Sequence, residues 1–137
     1  MTPDKMVGNF NRCSDWEERY LYLIELGERL PNYPDDQMTV QNLVKGCQSK
    51  VWLTLHYQLE SKSLRFLATS DAAIVKGLLA LLHIAYDEKS PQEVLLFDIH
   101  SWFDELELRE HLTPSRTQGL DAIVKEVQTN ARQQLSS

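Results

Sequence analysis

Apolar residues recur at helical spacing along most of the chain and switch to strict alternation only near its middle. Thr2 before Pro3 reads as an N-cap with proline at the first helical position, and Met6, Val7 and Phe10 give that short helix an apolar stripe. Ser14 followed three residues later by Glu17 is a capping-box pattern, after which Trp16, Tyr20, Leu23, Ile24, Gly27 and Leu30 repeat with a helical period until Pro31 and Pro34 end the run. Pro31 to Met38 is a polar, proline-containing loop, and Gln41 to Val44 reads as a turn or a short strand.

From Val51 the period becomes two. Val51, Leu53, Leu55, Tyr57 and Leu59 share one face, with Thr54, His56 and Gln58 on the other. The polar cluster Glu60-Ser61-Lys62-Ser63 and the alternation of Leu64, Phe66 and Ala68 complete an antiparallel hairpin. Ser70 is placed to cap a long helix whose broad apolar face holds Ile74, Leu78, Leu81, Leu82 and Ala85. Three further helix starts follow, at Ser90-Pro91-Gln92-Glu93, at Ser101 before Trp102, and at Thr113-Pro114 before a last helix carrying Leu120, Ile123, Val124, Val127 and Ala131. With no internal repeat or linker, the pattern predicts an α+β fold: a small antiparallel sheet with helices on both sides.

The chain's 137 residues fit one domain, 1–137, and its 42% hydrophobic and 25% charged residues are ordinary globular values. A net charge of −6 lacks the basic excess that drives non-specific phosphate binding, so nucleic acid is not an expected partner. The most apolar stretch, Gly77 to Tyr86, is about half the ~20 residues a membrane span needs and reads as a buried core helix. The residues after Met1 lead into no apolar signal stretch, so a cytoplasmic setting with two free thiols, Cys13 and Cys47, is expected.

Candidate chemistry centres on Cys47. It lies in Gly46-Cys47-Gln48-Ser49, between the proline-containing loop and the strand, where access favours reactivity and where Lys45 and Lys50 could favour the thiolate. Cys13, beside a helix junction, reads as a structural thiol. His56, His83, His100 and His111 show no paired spacing, and neither cysteine has a second one nearby, so no zinc motif is present. A Cys–His pair stays open, because such partners meet in space and not in sequence. Lys76-Gly77 lacks the glycines of a phosphate loop.

Three segments together, Gly46-Cys47-Gln48-Ser49-Lys50-Val51-Trp52, Ser70-Asp71-Ala72-Ala73-Ile74-Val75-Lys76-Gly77-Leu78 and His111-Leu112-Thr113-Pro114-Ser115-Arg116, resemble the SufE family of cysteine desulfuration proteins. Trp16 to Gly27 and Leu30-Pro31 resemble the family's N-terminal helix, so the likeness runs in order through nearly the whole chain. Gln48 and Leu112-Thr113-Pro114 fit SufE better than its relative CsdE. The resemblance implies an IscU-like fold and a carrier that accepts persulfide sulfur on Cys47 from a pyridoxal-phosphate cysteine desulfurase, SufS. It implies delivery to the SufBCD scaffold for iron–sulfur cluster assembly, in the cytoplasm and under stress, stimulation of the desulfurase, and no independent turnover. No cofactor or metal of its own is implied, no membrane partner is expected, and a homodimer is left open.

Gly46 as a hinge, Gln48, Asp71 and Arg116 are the expected partner-binding or loop-supporting residues, with Leu43, Val51 and Trp52 offering apolar shelter for a persulfide. Ser70 and Thr113 have local explanations as caps, whereas a cation at Arg116 adds nothing to a helix N-terminus and points to a contact with the loop or a partner. A non-covalent desulfurase adapter and a Cys-dependent thiol enzyme are the competing readings.

Overall fold

The computed structural model describes residues 1–136. Helix α1 (Pro3–Arg12) starts as expected, with the Thr2 hydroxyl accepting from the Lys5 N–H at 3.2 Å, and it buries Met6 and Phe10. Helix α2 (Trp16–Glu28) has its reciprocal cap one residue later than the Ser14–Glu17 reading. The Asp15 carboxylate accepts from the Glu18 N–H at 2.9 Å, while Glu18 accepts from the Ser14 N–H at 2.8 Å. A carboxylate at the cap position satisfies the orphan amide that a serine side chain would otherwise take.

After α2 the chain makes two short 3-10 turns, Asp35–Gln37 and Val40–Asn42, then forms a single bridge from Leu43 to Trp52. Gln41 to Val44 is therefore a turn followed by one isolated bridge, not a strand. Strand β1 (Val51–Gln58) pairs antiparallel with β2 (Ser63–Ser70) in a register running from Val51 opposite Ser70 to Gln58 opposite Ser63. Each outer edge is sealed by a short piece of chain. Val44 donates to the Val51 carbonyl at 2.9 Å on one side, and Leu64 exchanges 2.8 Å bonds with Glu88 and Lys89 on the other.

Val51, Leu53, Leu64, Phe66 and Ala68 are buried on one sheet face. The expectation of helices on both sides is corrected by the second face, which buries no hydrophobic residue. That face carries Thr54, exposed His56 and Arg65, and the loop side chain Tyr33 reaches it through a 2.6 Å bond to Thr54. Leu59 lies beyond β1 and is exposed.

Helix α3 (Ala73–Tyr86) buries most of its length, as the apolar run from Gly77 to Tyr86 predicts. Ser70 is not its N-cap: Ala72 holds that position, and the Ser70 hydroxyl closes β2 by donating to the Lys50 carbonyl at 2.7 Å and accepting from the Ala72 N–H. Helix α4 (Pro91–Leu96) opens on the full Ser90–Glu93 capping box. Helix α5 (Ile99–Glu105) starts earlier than Ser101, because Asp98 accepts from both the Ser101 N–H and its hydroxyl, at 3.1 and 2.8 Å. A short helix α6 (Leu108–His111) leads to α7 (Pro114–Ser136), whose start is capped by Thr113 accepting from the Arg116 N–H at 3.3 Å. Leu120, Ile123, Val124, Val127 and Ala131 of α7 are buried, and no helix among the described residues is long and apolar enough to cross a membrane.

Helices α2 and α3 touch at backbone level. A Cβ on Gly27 would lie 2.7 Å from the Gly77 nitrogen, and one on Gly77 would fall onto the Leu23 carbonyl. Lys76-Gly77 is thus a helix-crossing feature. Gly77→Ala should destabilise the protein by about 1–3 kcal/mol through overpacking, because helix backbone cannot step aside as a side-chain tip can. Thermal denaturation should show a midpoint lower by several degrees; an unchanged midpoint would mean that the two helices can separate freely.

Candidate functional site

The Cys47 loop hangs between two anchors. Val44 is fixed to Val51, and Lys50 is fixed three ways: its carbonyl accepts from the Ser70 hydroxyl and, at 3.3 Å, from the Asp71 N–H, while its own N–H donates to the Asp71 carboxylate at 3.2 Å. Asp71 is therefore a loop support in geometry, pinning the chain three residues after the cysteine. Gly46 has a φ of +91°, the left-handed region in which a side chain is strained, and it lies exposed at the turn.

Between the anchors the half-buried Cys47 reaches α7, where its thiol donates to the Gly119 carbonyl at 3.6 Å. Beside it lies a cavity of about 50 Å³. Val51, Val75, Leu78, Leu120 and Ile123 supply its apolar walls, and Gln48, Ser49, Ser115 and Arg116 its polar ones. It is a small space, partly open to solvent beside the loop. The shelter differs from the expected one: Val51 lines it, but Leu43 and Trp52 do not, because Trp52 points to the opposite sheet face where it bridges Leu43. Helices α3 and α7 provide the cover instead.

The thiol is held neutral. Burial raises the Cys47 pKa, and the Glu126 carboxylate on α7 raises it further. Lys45 and Lys50, expected to favour the thiolate, are exposed and solvated, so desolvation wins over them. Arg116 and Gln48 are both exposed at the cavity rim, and the Arg116 guanidinium has no hydrogen-bond or ion-pair partner among the described residues.

No histidine lines the cavity, so the Cys–His arrangement left open by the sequence is not assembled. His83 lies 3.3 Å from the Asp87 carboxylate, and its pKa is lowered by burial. His56 is exposed, His100 meets Arg109 at 2.7 Å, and His111 stacks on Trp16 with ring centres 3.9 Å apart. Cys13 ends α1, its thiol 3.6 Å from the Asn9 carbonyl, and lines a separate shallow surface with Arg12 and Tyr22. Among the described residues no group of three or more His, Cys, Asp or Glu is placed to hold a metal ion.

A family model described as "SufE: Fe-S metabolism associated domain" matches residues 4–131. The chain belongs to the SufE family. This SufE domain therefore has a role in iron–sulfur metabolism. A solved structure, the solution structure of a hypothetical protein from Thermus thermophilus, is similar over 100% of both chains, with a TM-score of 0.78 and 25% sequence identity.

The sequence alone missed Gly119, which accepts from Cys47 across 72 residues of chain, and Glu126, whose charge acts on the thiol from further along α7. Gly119 carries a readable signal, a glycine inside an apolar helical stripe where alanine would be favoured by about 1 kcal/mol. The thiol's pH behaviour is a direct check. Alkylation of Cys47 should stay slow at neutral pH and rise through a midpoint above that of an unfolded cysteine, since only the thiolate reacts. Glu126→Gln should move that midpoint down by a fraction of the total shift, burial being the larger cause. A midpoint at or below the ordinary thiol value would contradict the site's electrostatics.

Proposed function

We propose that this SufE domain is a sulfur acceptor and carrier whose working group is Cys47. In this reading a pyridoxal-phosphate cysteine desulfurase of the SufS kind presents a cysteine persulfide, and the Cys47 thiolate attacks its outer sulfur. The new bond joins Cys47 Sγ to that sulfur, the persulfide S–S bond breaks, and the desulfurase cysteine leaves as a thiolate, with no net oxidation. Clearing the persulfide frees the desulfurase for another turnover, which accounts for stimulation. The loaded carrier then passes its sulfur to a SufBCD-type scaffold by the same displacement.

The observation that carries this reading is a single loop thiol, docked beside a cavity of about 50 Å³ whose lining contains no histidine, aspartate or glutamate. A Cys-dependent hydrolase needs a base within reach of its nucleophile. A carrier needs none, because the partner supplies the reactive sulfur and receives the proton. Pyridoxal phosphate belongs to the desulfurase, and the carrier itself works in the cytoplasm with no metal, nucleic acid or membrane. Gly46, Gln48 and Arg116, all exposed around the cysteine, are the residues proposed to meet the partner.

Incubation with a cysteine desulfurase and free cysteine, followed by intact-mass measurement, tests the proposal. The chain should gain one sulfur atom, Cys13→Ser should gain it too, and Cys47→Ser should neither gain it nor stimulate the desulfurase. Sulfur gained by Cys47→Ser but lost in Cys13→Ser would assign the wrong cysteine. Full stimulation by Cys47→Ser would instead favour a non-covalent adapter.

A further inference from the structure

We propose that Gly119 is a positioning residue for Cys47, its carbonyl receiving the docked thiol and its small size leaving the loop room to close onto α7. The inference deepens the carrier reading, and it rests on that reading only for its consequence in sulfur handling. Glycine in a helix interior is unfavourable relative to alanine, so a buried one within α7 directs attention to what packs against it.

The helical glycines differ in what surrounds them. Gly27 and Gly77 face each other's helices, and Gly8 faces only the tip of Arg12 at 3.7 Å. Gly119 faces Cys47: the nearest atoms to a Cβ there would be the cysteine's Sγ at 3.4 Å, Cα at 3.6 Å and Cβ at 3.7 Å. Its carbonyl is also the oxygen that accepts from the thiol. One residue thus provides both the space and the acceptor for the docked sulfur. These distances are ordinary contact for a methyl group, so alanine fits against the docked thiol. Leucine carries three further carbons beyond that Cβ, and with Cys47 already in van der Waals contact with the Cβ position they compete with the docked cysteine for the space between loop and helix.

Docking therefore depends on side-chain size at position 119. A larger residue leaves the loop anchored at Val44 and Lys50 but holds its centre open, exposing Cys47 without disturbing Cys13. A thiol held open is also one whose loaded sulfur meets every small thiol in solution, so Gly119 sets how long a captured sulfur survives.

The test labels the full-length chain with a bulky maleimide and follows Cys47 and Cys13 separately by peptide mass analysis. Gly119→Ala should label Cys47 within about twofold of the unaltered protein, while Gly119→Leu should speed it by about tenfold, equivalent to about 1.4 kcal/mol in the docking equilibrium. The Cys13 rate should not change. An unchanged Cys47 rate in Gly119→Leu overturns the proposal, and so does a parallel rise at both cysteines, which would make the glycine a requirement of the fold. A second measurement stands apart from labelling: the drop in melting temperature caused by Gly119→Leu should shrink in a Cys47→Ala background, and an equal drop in both backgrounds overturns it. Protein loaded by the desulfurase should lose its sulfur to glutathione faster in Gly119→Leu. If the unaltered protein takes up no sulfur, the carrier reading fails, whereas the labelling rates still decide the role of Gly119.

Discussion

The close crossing of α2 and α3 is the constraint on which the rest of the molecule depends. Gly27 and Gly77 let the two backbones meet with no side chain between them, and any Cβ at that point would strike helix backbone. Val75 and Leu78 flank this crossing on α3 and form one wall of the Cys47 cavity. Leu120 and Ile123 of α7 form another, and Val51 at the start of β1 contributes a third. The cavity is thus the place where two helices and the end of the hairpin meet, and its dimensions follow from how closely α3 is drawn in.

A thiol placed at that meeting point is quiet. It is partly desolvated, donates to a backbone carbonyl and lies near Glu126, and all three conditions favour the protonated form. Reactive cysteines in free-standing thiol enzymes sit in the opposite setting, beside cations or histidine. A neutral, docked cysteine suits a protein whose sulfur should react only with a chosen partner. In the carrier reading the desulfurase must therefore supply more than sulfur: it must draw the loop off α7 so that the thiolate can form.

Much of this was legible in the sequence, and what was not has a common physical origin. Local chemistry was readable: the Ser90–Glu93 box, the Thr2 and Thr113 caps, the two-residue period of β1 and the apolar run of α3 all depend on neighbours a few positions away. The caps at Asp15 and Asp98 were displaced from the readings at Ser14 and Ser101 because a nearby carboxylate competes for the same amides. The cysteine loop was readable from its local composition, whereas the bond from Lys50 to the Asp71 carboxylate forms only once the hairpin brings the two together. The walls of the site were not readable. Trp52 and Leu43 are close to Cys47 in sequence yet face the other side of the sheet, while Gly119 and Glu126 are far away in sequence and reach it only through the fold. Tertiary contacts of that kind leave at most one trace, an unexplained glycine in a helix.

The central claim is that Cys47 is sheltered in the free protein and presented only to a partner. The most direct measurement is the rate at which a bulky thiol reagent labels Cys47 in the folded chain, in denaturant, and in the presence of a cysteine desulfurase whose own active cysteine has been replaced. The account predicts slow labelling in the free protein, well below the denatured rate, and a marked acceleration when the desulfurase is added, with Cys13 unaffected. Labelling already as fast as in denaturant, and unchanged by the desulfurase, would show that the loop is open at rest and would contradict it.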